Sequence, residues 1–92
     1  MNLIPDQLTL TQNFPNPFNP STVINYQIPA DNFVTLKVYN LIGEELLTLV
    51  NSYQQKGSYT VKFEADKLSS GIYFYKIRYG NSAITKKMIL KK

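Results

Sequence analysis

The chain has six carboxylates, Asp6, Asp31, Glu44, Glu45, Glu64 and Asp66, and any two at suitable separation would make a glycosidase pair. Most of them fall in or near turn residues at separated points of the chain, where solvation accounts for them. Ser21, Ser69 and Ser70 are candidate nucleophiles, but there is no histidine or cysteine to serve as base or thiol. The same two absences remove disulfides and metal sites built on histidine or cysteine. No nucleophile–base pair can be named, so the expectation is a non-catalytic protein without cofactor or metal. The basic residues say more. Ten Lys and Arg against six Asp and Glu leave a net charge of +4, and Lys86, Lys87, Lys91 and Lys92 alone match that excess. A basic terminus can pair with anionic groups of a partner, or it can be the solvated face of an edge strand that resists aggregation. The aromatics lack the spacing of a stacking platform, so nucleic acid is not expected as a partner.

At 92 residues the chain can build one core, and its 43% hydrophobic content is that of a globular domain. Its longest apolar runs, such as Leu46-Leu47 and Ile72 to Tyr75, fall far below the roughly 18 residues of a membrane-spanning helix. Met1 to Gln12 carries neither a basic region nor a continuous apolar one, so no signal peptide is expected there. Alternation with a period of two dominates. It predicts strands around Leu8 and Leu10, around Ile24, Tyr26 and Ile28, and around Val34, Leu36 and Val38. Further strands follow at Leu46 to Val50, at Tyr59, Val61 and Phe63, at Tyr73, Tyr75 and Ile77, and from Ile84 to Leu90. The stretch Leu46 to Val50 is apolar on both parities, which leaves its inward face open. In the last strand Met88 and Leu90 are expected to face inward and Lys87 outward. Turn residues separate these strands: Pro29 to Asn32, Asn40 to Gly43, Lys56-Gly57, Ser69 to Gly71, and a hairpin at Gly80 to Ser82. Gly43 is expected to supply a positive φ. Seven short strands spaced in this way predict an all-β, immunoglobulin-like, seven-stranded antiparallel β-sandwich. Tyr73, just after Gly71 and two residues before the inward Tyr75, sits where a tyrosine corner would form, with Tyr75 in the place of the second disulfide cysteine.

The stretch Asn13, Phe14, Pro15, Asn16, Pro17, Phe18, Asn19 and Pro20 is the most unusual. Each proline fixes its own φ and pushes the preceding residue toward extended geometry, so the segment is expected to stay out of the ladders as a stiff crossover. Phe14 and Phe18 would cover an open end of the core, and Asn16 and Asn19 would bond to local backbone.

Four runs then make a family resemblance specific: NFPNPFNPSTVINYQIP at residues 13–29, VTLKVYNLIGEEL at 34–46, GSYTVKFEADKLSSGIYFYKI at 57–77 and TKKMILKK at 85–92. Together they resemble the type A C-terminal sorting domains of the type IX, or Por, secretion system, over about residues 8–92. Two departures are Phe14, where the family often has tyrosine, and Glu44, where arginine often follows the turn glycine. The second weakens any fixed recognition charge at that turn. The resemblance implies a secretion signal at the end of a larger cargo protein, with residues 1–7 as the remnant of the linker and residues 8–92 as the sorting domain. It implies passage through the periplasm and across the outer membrane to the cell surface or the medium. Its partners would be the outer-membrane translocon, which recognises the folded domain, and a surface sortase-like peptidase, which removes it and joins the cargo to an anionic lipopolysaccharide. By the same analogy Lys86, Lys87, Met88, Leu90, Lys91 and Lys92 form the recognition segment. Asn13 to Pro20, Gly43, Gly71, Tyr73 and Tyr75 would be structural. The isolated domain is expected to be a monomer. An alternative is an immunoglobulin-like accessory module binding carbohydrate or protein, with Tyr39, Tyr53 and Tyr79 stacking on sugar rings.

Overall fold

A computed structural model describes residues 7–92, so the proposed linker at 1–7 lies outside the described residues except for the exposed Gln7. Seven strands follow one another: β1 (Thr9–Leu10), β2 (Ser21–Ile28), β3 (Asn32–Tyr39), β4 (Glu45–Gln54), β5 (Gly57–Glu64), β6 (Gly71–Tyr79) and β7 (Ser82–Leu90). They form two antiparallel sheets, β1-β2-β5 and β4-β3-β6-β7. This is the all-β, immunoglobulin-like sandwich of seven strands that the alternation predicts. β4 stays beside β3 instead of crossing to join β5, as the fourth strand does in constant-type domains.

The period-two pattern decides which residues meet between the sheets. Ile24, Tyr26 and Ile28 of β2 and Phe63 of β5 face Val34, Leu36 and Val38 of β3 and Tyr75 and Ile77 of β6, all buried. Each large apolar side chain buried this way stabilises the fold by about 1.5–3 kcal/mol before entropy is charged against it. Met88 and Leu90 of β7 are buried in the same core, as expected. Tyr26 stacks on Tyr59 with ring centroids 5.3 Å apart. Its hydroxyl crosses to Gln54 of β4, tying the sheets together at one end.

The ambiguity of Leu46 to Val50 resolves into two irregularities of register. Lys37 pairs with Thr48 and Leu36 with Val50, which leaves Leu49 extra; Tyr39 pairs with Glu45 and Val38 with Leu47, which leaves Leu46 extra. Two additional residues on one strand are what β-bulges require, and they let apolar side chains of both parities occur without a contradiction.

Candidate recognition surface

β7 is an edge strand, and its outer edge is where the proline-rich segment does its work. Gln12 Nε2 donates to Lys87 O at 2.7 Å, and Ile89 N donates to Asn16 Oδ1 at 2.9 Å. Phe18 N donates to Ile89 O at 2.9 Å, and Lys91 N donates to Phe18 O at 3.0 Å. The segment therefore leaves the first sheet, where Phe14 bridges Val23, and reaches the second, where Phe18 bridges Leu90 in parallel. The expectation that it stays out of the ladders is corrected on this point. Prolines lack an N–H, but Phe14 and Phe18 keep theirs and each makes a single bridge. The expected local bonding of Asn16 and Asn19 is also corrected. Asn16 reaches a backbone 73 residues away, and Asn19 is exposed with no side-chain hydrogen bond among the described residues.

The two phenylalanines go opposite ways. Phe18 is 2% exposed and packs on Phe63, whereas Phe14 is 79% exposed. Register explains the error in expecting Phe14 on the core: it pairs with Val23, whose side chain alternates away from the buried Thr22 and Ile24. Beneath the segment lies a buried polar knot. The Tyr75 hydroxyl donates to Thr11 O at 2.7 Å and accepts from Asn13 N at 2.8 Å. Asn13 Nδ2 donates to Thr22 Oγ1 at 3.0 Å and to Pro15 O at 3.1 Å, while Thr22 Oγ1 donates to Pro15 O at 2.8 Å. Burial pushes the Tyr75 phenol above its ordinary value of 10.0, only partly opposed by the Asn13 bond. At the next corner the Tyr73 hydroxyl donates to Ser69 O at 2.6 Å, four residues back, which is tyrosine-corner geometry. Gly71 opens β6 opposite Leu90.

The basic terminus is split between surfaces. Lys86 pairs with Tyr75 and shares the inward parity of Ile84, Met88 and Leu90, so it is only half exposed. Lys87 pairs with Phe74 on the outer face and is exposed. Lys91 is exposed beyond the strand end. Lys92 is tied back, with its Nζ donating to Asp66 O at 2.7 Å and its N–H to Ser70 Oγ at 2.9 Å. Met88 and Leu90 are buried in the core, at 0% and 1% exposure.

The carboxylates are mostly occupied. Glu45 pairs with Lys37, Glu64 with Lys62, Glu44 accepts from Asn40 Nδ2, and Asp31 accepts from Lys56 N. The three tyrosines considered for sugar stacking do not share a platform. Tyr79 pairs with the inward Val34, Tyr39 lies beneath Lys76 Nζ at 5.5 Å, and Tyr53 stands at the far end of β4. Gly43, at φ +90°, closes the β3–β4 turn, where L-residues other than glycine are strained. Asn40 organises that turn. Its Oδ1 accepts from Ile42 N at 3.1 Å and Glu44 N at 2.9 Å, and its backbone N–H donates to Glu44 O at 3.0 Å. Sequence reasoning missed Gln12, Thr22 and Asn40. Thr22 alone carried a signal, since it shares the parity of Ile24 and Tyr26.

The family described as "Secretion system C-terminal sorting domain" matches residues 12–91. No curated protein matches the chain significantly.

Proposed function

The chain belongs to the family of secretion system C-terminal sorting domains, and we propose that the machinery reads its folded last strand as held by the proline-rich segment. Domains of this family are C-terminal sorting signals for type IX secretion, so the chain directs an attached cargo protein across the outer membrane to the cell surface or the medium. Its function implies interaction with the secretion machinery and attachment to a cargo. The finer reading assigns contact to Lys87 and Lys91, whose charged ends are exposed, with Lys86 beside them at the strand's inner border. Met88 and Leu90 contribute by anchoring the strand in the core, and Lys92 by closing the strand end onto the Asp66 carbonyl. The clamp along Lys87, Ile89 and Lys91 carries this reading, because it fixes the strand's edge before any partner arrives. The domain acts as a non-catalytic signal, and the specific partners are the outer-membrane translocon and a surface sortase-like peptidase that cuts upstream of the sandwich.

The test is charge reversal, Lys87→Glu with Lys91→Glu, in a secreted parent protein. The cargo should accumulate in the periplasm while the domain's Tm stays within a few degrees of the original. Normal delivery to the medium would remove both lysines from the recognition surface.

A further inference from the structure

The clamp on β7 covers only half of its edge. Lys87 O, Ile89 N, Ile89 O and Lys91 N point away from β6 and are taken by Gln12, Asn16 and Phe18. The ladder between β6 and β7 runs without a shift from Gly71↔Leu90 to Tyr79↔Ser82, so the same parity turns the N–H and C=O of Ala83 and Thr85 outward. Both residues are exposed, and neither makes a backbone bond on that side among the described residues. The stretch of β7 edge beyond the clamp is uncovered and is a template for an added strand.

Beside this stretch, on the outer face of the same sheet, lies a groove of about 380 Å³ lined by Tyr39, Leu41, Ile42, Phe74, Lys76 and Thr85. Leu41 and Ile42 are 64% and 81% exposed at the tip of the Asn40 turn. A turn fixed by Asn40 holds these two aliphatic side chains in water without letting them fold away. Rigid apolar anchors of this kind lower the entropy cost of binding. Thr85 belongs to both features, since it walls the groove and forms part of the open edge. Positive charge predominates around them, with Glu44 the one carboxylate at the turn that no cation pairs among the described residues. Lys76, Arg78 and Lys87 stand on the face or at its rim, and the acids nearest the turn, Glu44 and Glu45, are engaged with Asn40 and Lys37.

We propose that Ala83 to Lys87 and the adjoining groove bind an extended acidic segment of a partner protein, which adds as a strand to the β7 edge and sends an aliphatic side chain between Ile42 and Phe74. Backbone bonds to Ala83 and Thr85 supply affinity, and the groove with its lysines supplies selectivity. A second copy of the chain fits poorly, because the net charge is +4 and edge pairing of two β7 strands would bring lysines together. A membrane surface fits poorly as well, because the turn presents only two exposed aliphatic side chains, Leu41 and Ile42, too little apolar area to hold a membrane. The inference rests on the sorting-domain reading for the existence of a partner, but it uses residues that Lys91 does not touch.

The experiment titrates the isotope-labelled chain with a capped peptide of alternating valine and glutamate, followed by NMR. Amide shifts should concentrate at Ala83, Thr85 and Lys87 and methyl shifts at Leu41 and Ile42; the valine–lysine counterpart should leave the spectrum unchanged. Thr85→Pro removes an outward N–H and the threonine that walls the groove, at an edge-strand position that tolerates proline. Ile42→Glu alters only an exposed tip. Each should weaken peptide binding about tenfold with the Tm unchanged. Shifts at β4 or β5, self-association through β7, binding to phosphatidylglycerol vesicles in place of the peptide, or no shifts at millimolar peptide would each overturn the proposal. The same variants, placed in a secreted parent, separate this inference from the previous reading. Secretion lost with Lys91→Glu but kept with Thr85→Pro and Ile42→Glu sinks the inference alone. Secretion kept with Lys91→Glu but lost with these two sinks the reading of Lys91 alone.

Discussion

Two asparagines each organise a stretch of irregular backbone, and they turn their neighbours in opposite directions. Asn13 is 2% exposed, bonds to Pro15 O and Thr22 Oγ1, and is followed five residues later by Phe18 in the core. Asn40 sits on the surface, bonds to Ile42, Glu44 and the Glu44 carboxylate, and is followed directly by two aliphatic residues left in water. Both side chains bond backbone two residues on, Asn13 donating to Pro15 O and Asn40 accepting from Ile42 N, although Asn13 also reaches Thr22 nine residues away. What differs is the surroundings. Around Asn13 the chain must cross from one sheet to the other, so the fixed geometry serves closure of the fold. Around Asn40 the hairpin is already closed by its own ladder, and the fixed geometry serves presentation. If this contrast is right, damage near Asn13 costs stability, whereas damage near Asn40 costs little stability and is felt by partners.

The largest effect should come from Phe18→Ala, which empties a buried site against Phe63 and should cost about 3–5 kcal/mol in urea unfolding. A loss under about 1 kcal/mol would show that the crossover is decoration and not closure. Tyr75→Phe comes next. It leaves Asn13 N–H and Thr11 C=O without their buried partner, for a loss of about 2–3 kcal/mol. An intact Tm would mean that water or a shifted backbone replaces the phenol.

Alkaline titration tests the same pin without mutation. Burial raises the folded-state values of Tyr26 and Tyr75 above 10.0, so the unfolded chain loses these protons first. Stability from these phenols is fully present below the unfolded value and is lost as pH rises through the folded ones. Thermal unfolding followed above pH ~10 should therefore show a falling Tm, with a shallower fall in Tyr75→Phe. Equal slopes for the two proteins would remove Tyr75 from the effect.

The mildest changes belong to the other turn. Asn40→Ala should cost about 1 kcal/mol, the value of a few exposed local hydrogen bonds. Ile42→Ser should stay within about 0.5 kcal/mol, because the side chain it replaces is already in water. A larger loss from Ile42→Ser would make the tip part of the fold and erase the contrast.

How much of this could be read in advance follows the range of each interaction. The inward faces of β2, β3, β5 and β6 were legible because alternation is local, and Tyr73 was legible because its partner Ser69 is four residues back. The family resemblance supplied function where residue chemistry gave only exclusions. Asn13 was not legible as a hub, since its partners Thr22 and Tyr75 lie 9 and 62 residues away. Phe14 was misplaced for want of its register with Val23. The terminal lysines read as one basic patch, yet strand parity and the tie of Lys92 to Asp66 O divide them among surfaces. The face of β4 stayed open because its two bulges break the period that the reading depends on.

The most direct test of a sorting signal read through its folded surface is export measured against temperature. A periplasmic reporter carrying this chain at its C-terminus would be compared with its Tyr75→Phe variant in a bacterium that has the secretion system. Every residue of β7 is intact in the variant. Its export should nonetheless fall at a lower temperature than the original's, and fall where the isolated variant domain unfolds. Undiminished export above that temperature would mean that the machinery reads an unfolded C-terminal peptide, and the clamp and its lysines would have no part in recognition.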